Sequence, residues 1–216
     1  MKNIFFSMIA SFLTATAISQ PPVENYLLKD IGYISIPANM EIESGKHETF
    51  TGKYKEVFGK KFGYEISDNR IVFQQKSPGD YDKPSLPSFA KVILETTIGK
   101  PGDYGKLTTK LTATATELSQ LSTQLRSETE ASFKGTGLKL IKWYGVQVAN
   151  INGITALEIS FLRQLDANPF VKVAIYQFPN NDRMHVLTLS YRQEDTDMWK
   201  EAYDHILRSF KITNVR

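Results

Sequence analysis

The chain contains no cysteine. That absence removes disulfides, thiolate metal sites, a cysteine nucleophile and the acylated cysteine of a bacterial lipoprotein together. Histidine is scarce, and His47, His185 and His205 fall on three separate segments, so no local His cluster suggests a metal or a relay of bases. There is no G-x-S-x-G elbow, no G-x-x-x-x-G-K-[ST] phosphate loop and no H-E-x-x-H pair. Charge of one sign is also lacking: the formal net charge is +3 at pH 7, and Lys2 belongs to the leader described below. So mild a balance does not imply nucleic acid. These absences lead to an expectation of no enzymatic activity, no cofactor and no metal.

Long apolar runs are missing as well, with one exception at the start. Met1-Lys2-Asn3 is a short basic opening, Ile4 to Leu13 is mostly apolar, and Thr14-Ala15-Thr16-Ala17-Ile18-Ser19 supplies small residues. These are the three parts of a secretory signal peptide. About 20 apolar residues are needed to span a bilayer, and Gln20-Pro21-Pro22 ends this run too early for an anchor. Cleavage after Ala17 or Ser19 satisfies the small-x-small rule. The expected organisation is a signal peptide over 1–19 and one globular domain over 20–216, periplasmic or secreted. Export without cysteine suits a bacterial envelope.

What is present is a protein with ordinary core content, 41% hydrophobic and 23% charged, which is globular rather than disordered composition. A chain of this size buries roughly 70% of its unfolded surface and needs no staple. Asp30 to Ile36 reads as a first strand, stopped by Pro37. Tyr64 to Ile66 and Ile71 to Gln75 flank the turn pair Asp68-Asn69 and read as a hairpin. Lys91 to Ile98 is a strand between two Pro- and Gly-rich loops, 77–88 and 99–106.

Thr114-Ala115-Thr116-Glu117 has capping-box spacing and opens a helix reaching Lys134, with Leu118, Leu121 and Leu125 as a narrow apolar stripe. Leu138 to Ile151 and Ile154 to Leu165 flank Asn152-Gly153, a strong hairpin signal. A second hairpin joins Phe170–Phe178 to Met184–Tyr191 through Pro179-Asn180-Asn181-Asp182. In both, the strands are apolar on alternate faces: Val171, Val173 and Ile175 oppose Ala174, Tyr176 and Phe178. A sheet with one wet face alternates apolar and polar, so both faces here are expected to be covered. A closing helix over Asp195–Phe210 has Met198, Trp199, Ala202, Ile206, Leu207 and Phe210 as its apolar face, with Asp195 or Thr196 as cap. The fold class is therefore α+β, a central antiparallel sheet with the Thr114 helix on one face and the closing helix on the other.

Few segments point to chemistry. Asp80-Tyr81-Asp82 opens like a calcium loop, but Lys91 stands where an EF-hand needs its bidentate Glu. Lys53, Lys55, Lys60 and Lys61 interleave with Tyr54, Phe58 and Phe62, as in an amphipathic segment with wet lysines. His185 lies beside Leu187 and Leu189 and reads as a partly buried structural histidine, and His205 reads as solvated. Pro78-Gly79-Asp80-Tyr81 recurs as Pro101-Gly102-Asp103-Tyr104. Turn chemistry used twice accounts for this. The functional reading is a partner-binding surface made of Asp80, Tyr81, Asp103 and Tyr104, since tyrosine offers large contact area at low entropic cost.

Certain phrases carry a resemblance. Ile71-Val72-Phe73-Gln74-Gln75-Lys76, then Ala90-Lys91-Val92-Ile93-Leu94-Glu95 and Gly102-Asp103-Tyr104, are similar to exported bacterial proteins of the PsbP-like superfamily, in its branch of uncharacterised function. So is the ending, Leu187-Thr188-Leu189-Ser190 before a helix closing Ile206-Leu207-Arg208-Ser209-Phe210-Lys211-Ile212. The resemblance covers roughly 30–212 and lies in core-packing phrases. It implies a PsbP-like α/β/α sandwich and a group of binding and assembly proteins rather than enzymes. The functional expectation is a non-enzymatic envelope protein with a protein partner. The alternatives are a carrier of a small apolar molecule or lipid in a sheet–helix cleft, and an unrecognised enzyme.

Overall fold

The computed structural model describes residues 22–43, 70–76 and 88–216. The leader, His47, the Lys53–Phe62 stripe, the Tyr64–Ile66 strand and the Asp80-Tyr81-Asp82 loop lie outside them. The described elements are β1 (Val23–Leu28), β2 (Gly32–Pro37), β3 (Met40–Ile42), β4 (Arg70–Gln75), β5 (Ala90–Ile98), α1 (Ala115–Phe133), β6 (Leu138–Ile151), β7 (Ile154–Leu165), β8 (Val171–Asn180), β9 (Arg183–Arg192), α2 (Thr196–Ser209) and β10 (Lys211–Ile212). A seven-stranded sheet runs β3-β4-β5-β9-β8-β7-β6, and a three-stranded sheet runs β1-β2-β10. Every strand pair is antiparallel. No helix among the described residues is long and apolar enough to cross a membrane.

Both faces of the large sheet are covered, as the two-faced strands require. On one face α1 brings Leu125 and Phe133 against Ile159, Phe161, Val171 and Val173. Trp143 stacks on Phe161 at 5.8 Å and donates its indole N–H to Ser122 on α1 at 2.8 Å. The capping box forms: Glu117 N–H donates to Thr114 Oγ1, and Thr114 N–H donates to Glu117 Oε2. No residue of α1 is fully buried, so it is a lid on one half of the sheet rather than a core helix.

On the other face lies α2, whose Trp199, Tyr203 and Ile206 join Phe73, Val92, Leu94, Phe178 and Leu187 in the main core. The small sheet closes this side with Ile34 and Ile36, both fully buried. The α/β/α order expected from sequence is present, with a second sheet beside α2 that the sequence pattern did not reveal.

Several boundaries differ from expectation. The strand at Asp30–Ile36 is the second, not the first, because Val23–Leu28 precedes it; Asp30 sits in the connecting turn at φ +61°. In the described residues β4 pairs with β3 and β5. The turn between β8 and β9 is tighter than the expected 179–182, since Pro179 and Asn180 stay in register with Met184 and Arg183. A single turn of 3-10 helix, Gln193–Asp195, leads into α2, and neither Asp195 nor Thr196 caps it by side chain. Asp195 instead accepts from Ser88 Oγ, and Thr196 donates to the Gln193 carbonyl. Met198 faces solvent rather than the core. His205 is half-buried, not solvated, and its Nε2 has no hydrogen-bond partner among the described residues.

Candidate functional site

The first place to look is the loop that carries the second Pro-Gly-Asp-Tyr. Asp103 is exposed, and its carboxylate accepts from the Lys100 N–H at 2.6 Å. Gly102 N–H donates to Asn181 Oδ1, Tyr104 N–H donates to the Asn181 carbonyl, and Asn181 N–H donates to the Gly105 carbonyl. The loop is thus laced to the β8–β9 turn, with Tyr104 half-buried. Asp80 and Tyr81 lie outside the described residues. Their flanks, Lys76 and Ser88, stand at the opposite end of β5 from Gly99, because β4 and β5 pair as antiparallel neighbours.

His185, paired with Thr96 near the Gly99 end of β5, is fully buried. Its Nδ1 lies 2.9 Å from Thr96 Oγ1 and its Nε2 lies 3.2 Å from Asn180 Nδ2. Asn180 Nδ2 is a donor only, so Nε2 is the unprotonated nitrogen and Nδ1 carries the hydrogen. Burial, with Arg183 nearby, holds its pKa down at about 4. Asn180 also donates to the Asn214 carbonyl and accepts from the Arg216 N–H. This cluster clamps the C-terminal tail and is a structural device. The described residues contain no group of three or more His, Asp or Glu side chains placed to hold a metal ion.

A different site emerges from strand register. Ser160 on β7 faces Ala174 on β8, and Ala174 faces Leu189 on β9. Two small side chains in adjacent strands leave a dip in the sheet. Lys172 and Tyr176, two residues either side of Ala174, share its face and wall the dip. Tyr191 lies opposite Lys172 and adds to one wall. The helix α2 roofs it with Lys200, Tyr203, Asp204 and Leu207.

The outer end is closed by Tyr144, and a bulge puts it there. On β6, Trp143 pairs with Phe161 and Gly145 with Ser160, leaving Tyr144 as the extra residue. Such a residue is freed from the ladder and re-aimed. Gly145 at φ +117° permits this, a conformation L side chains rarely adopt. The result is a groove of about 180 Å³ between sheet and closing helix.

The electrostatics follow from these neighbours. Burial raises the pKa of Tyr176, Tyr191 and Tyr203, and for Tyr176 the Glu158 and Asp204 carboxylates add to it. All three remain phenols at neutral pH. Tyr203 is spent internally, its hydroxyl lying 2.7 Å from the Ser190 carbonyl and 3.1 Å from that of Lys91. Lys142 sits over the Tyr144 ring at 5.1 Å and Lys172 over the Tyr191 ring at 5.8 Å. Lys200 pairs with Asp204 at 2.9 Å. The groove holds phenols and ammonium groups, with no nucleophile set beside a base. A second depression, of about 500 Å³, borders the β7–β8 loop; Ala167, Pro169 and Phe170 line it together with Gln164, Asn168, Gln193 and Glu194.

The sequence placed Val173, Ala174, Tyr176, Leu189 and Leu207 on strand and helix faces and offered a sheet–helix cleft as an alternative, but it marked none of the groove residues as a site residue. The one readable signal was Gly145 inside an otherwise strand-like run, which marks a bulge.

Comparison with known proteins gives the fold. No protein-family model matches the chain, and no curated protein does. Among solved structures, cyanobacterial PsbP (CyanoP) from Synechocystis sp. PCC 6803 is similar at a TM-score of 0.51 and 12% identity, covering 91% of this chain and 95% of that one. A protein from Bacteroides thetaiotaomicron VPI-5482 gives a TM-score of 0.44 at 4% identity, over 86% of this chain and 46% of its own. A Pseudomonas aeruginosa protein of unknown function gives 0.40 at 12%, over 87% and 95%. The fold is PsbP-like.

Proposed function

We propose that this is a non-enzymatic, exported envelope protein that binds a protein partner through the groove between β6–β9 and α2. The observation that carries the reading is Tyr144, which a bulge turns out of the β6 ladder to the mouth of a ready-made concavity. Buried aromatic pockets that receive one anchoring side chain are where binding energy concentrates at protein interfaces.

Size favours this over a carrier. Small-molecule sites usually occupy about 300–1,000 Å³, and the groove, at about 180 Å³, has room for one side chain. The larger depression sets Ala167, Pro169 and Phe170 among Gln164, Asn168, Gln193 and Glu194, and Tyr144 is not one of its walls. The basic-apolar-small leader supports export, and the PsbP-like fold is compatible with assembly work without assigning it.

The test is a photo-crosslinking amino acid placed at Tyr144 in the protein expressed in its own envelope, with Leu27 as a distant exposed control. A discrete protein adduct from position 144 and none from 27 is the expected result. No adduct, or the same adducts from both positions, overturns the reading.

A further inference from the structure

Among the described residues β6 is the outermost strand of the large sheet and pairs only with β7, so one row of its backbone groups meets no strand. The turn fixes which groups these are. Asn152 and Gly153 both have positive φ, as in the two-residue turn whose flanking residues, here Ile151 and Ile154, form a hydrogen-bonded pair. Alternation then points the backbone of Ala149 and Gln147 toward β7 and turns the N–H and C=O of Val146, Val148 and Asn150 outward. The far end of the hairpin agrees: Asp166 N–H donates to the Gly137 carbonyl, as the same alternation along β7 requires. No backbone hydrogen bond from another described element reaches Val146, Val148 or Asn150.

The two halves of β6 treat this edge differently. Over 138–145 the register slips twice, and Lys139 and Lys142 are exposed; bulges and lysines are how proteins keep foreign strands off an edge. Over Val146-Gln147-Val148-Ala149-Asn150-Ile151 the ladder is regular, and the segment holds no charge, proline or glycine. This half is also backed on both faces. Val146 packs with Leu125 and Phe133 on the α1 side, and Ala149 and Ile151 pack against the main core on the other. A regular, neutral, supported edge that begins two residues from Tyr144 is a template for one more strand.

Resting on the groove as the docking site, we propose that the protein partner engages it by adding an extended segment of about five residues to the Val146–Ile151 edge of β6. Val146, Val148 and Asn150 each offer the segment one donor and one acceptor. The residue opposite Val148 shares its face, where a β-branched or aromatic side chain pairs best. The residue opposite Gln147 is polar, because the Gln147 amide already donates to the Glu158 carboxylate at 2.9 Å and keeps that face wet. Proline is excluded wherever the segment must donate to β6.

The test places a photo-crosslinking amino acid at Gln147 or at Asn150, both exposed, in the full protein expressed in its own envelope, and maps each adduct by mass spectrometry. Both should attach to one partner protein, at sites about three residues apart in a single segment, since paired strands advance together. Val148→Pro removes an N–H that β7 does not use and should cut both adducts about tenfold or more with the melting curve unchanged. Where that variant folds poorly, the spacing of the adducts on the unaltered backbone decides alone. Absent adducts, adducts scattered over unrelated positions, adducts on a second copy of this chain, or full yield from a folded Val148→Pro protein overturn the proposal. If the Tyr144 crosslink forms while these fail, strand addition is wrong and the groove stands. If Tyr144 fails while the spaced adducts form, the groove is wrong and the edge stands.

Discussion

The indole Nε1 of Trp199 donates to the hydroxyl of Ser88 at 2.7 Å, and Ser88 passes its own hydrogen to Asp195 at 2.5 Å. This relay ties the buried face of α2 to the start of β5. It also accounts for the missing side-chain cap, since the Asp195 carboxylate is turned toward Ser88.

Trp199 is fully buried, so Trp199→Ala should cost about 3–5 kcal/mol, as large aromatic truncations in cores do. Ser88→Ala leaves the indole N–H without its acceptor and should cost about 1–3 kcal/mol. Urea denaturation reads both. A loss below about 1 kcal/mol for Trp199→Ala would make α2 peripheral to the core.

His185 makes stability depend on acid. Its folded pKa, about 4, lies below the ordinary 6.5, so as pH falls the unfolded chain takes up the proton first. The stabilising contribution is whole above pH 6.5 and is lost progressively toward pH 4, by on the order of 3 kcal/mol in all. His185→Gln should flatten this slope. Urea melts at pH 7 and pH 4 compare the two proteins, and an equal drop in both would show that other groups carry the acid sensitivity.

Gly32 on β2 stands hard against β10. A Cβ there would overlap the backbone carbonyl oxygen of Lys211 on β10, the strand paired with it. Gly32→Ala should therefore push β10 away and cost about 1–3 kcal/mol, as overpacking does. Hydrogen exchange of the Thr213 and Asn214 amides, both bonded to the Ile31 carbonyl, should quicken. Unchanged protection there would mean that the backbone absorbs the methyl group.

The leader makes a simple forecast. Protein recovered from its native envelope should begin at Ile18 or Gln20 by intact mass. Retention of Met1 and Lys2 would contradict export with cleavage.

How much of this was legible depended on how local each signal was. Thr114 and Glu117 cap a helix within one turn, and Asn152-Gly153 closes a hairpin within two residues, both at positive φ. The alternation of Val171, Val173 and Ile175 against Tyr176 and Phe178 told that both sheet faces are covered. β1 was not legible, because its apolar residues follow no period of two: Leu27 is 87% exposed while Leu28 beside it is buried, and the rest of the strand is mostly exposed. The small sheet joins residues near 23–37 to 211–212, a pairing no local pattern encodes. The groove was hidden for the same reason. Ser160, Ala174 and Leu189 are ordinary strand residues until register aligns them, and Tyr144 reaches them only because the ladder slips at Gly145. The repeated Pro-Gly-Asp-Tyr stood out in the sequence, yet in its described copy the Asp103 carboxylate serves the Lys100 amide of its own turn.

The central claim is that the dip over Ser160 and Ala174 receives a partner, and filling it is the most direct test. Ala174→Leu adds three carbons to the floor without changing charge or touching Tyr176, Lys172 or Tyr144. Partner recovery on affinity capture from the envelope should fall sharply with Ala174→Leu, while the variant's circular dichroism and melting curve match those of the unaltered protein. Full recovery by a folded Ala174→Leu protein would contradict the claim and move the search for the binding surface elsewhere on the molecule.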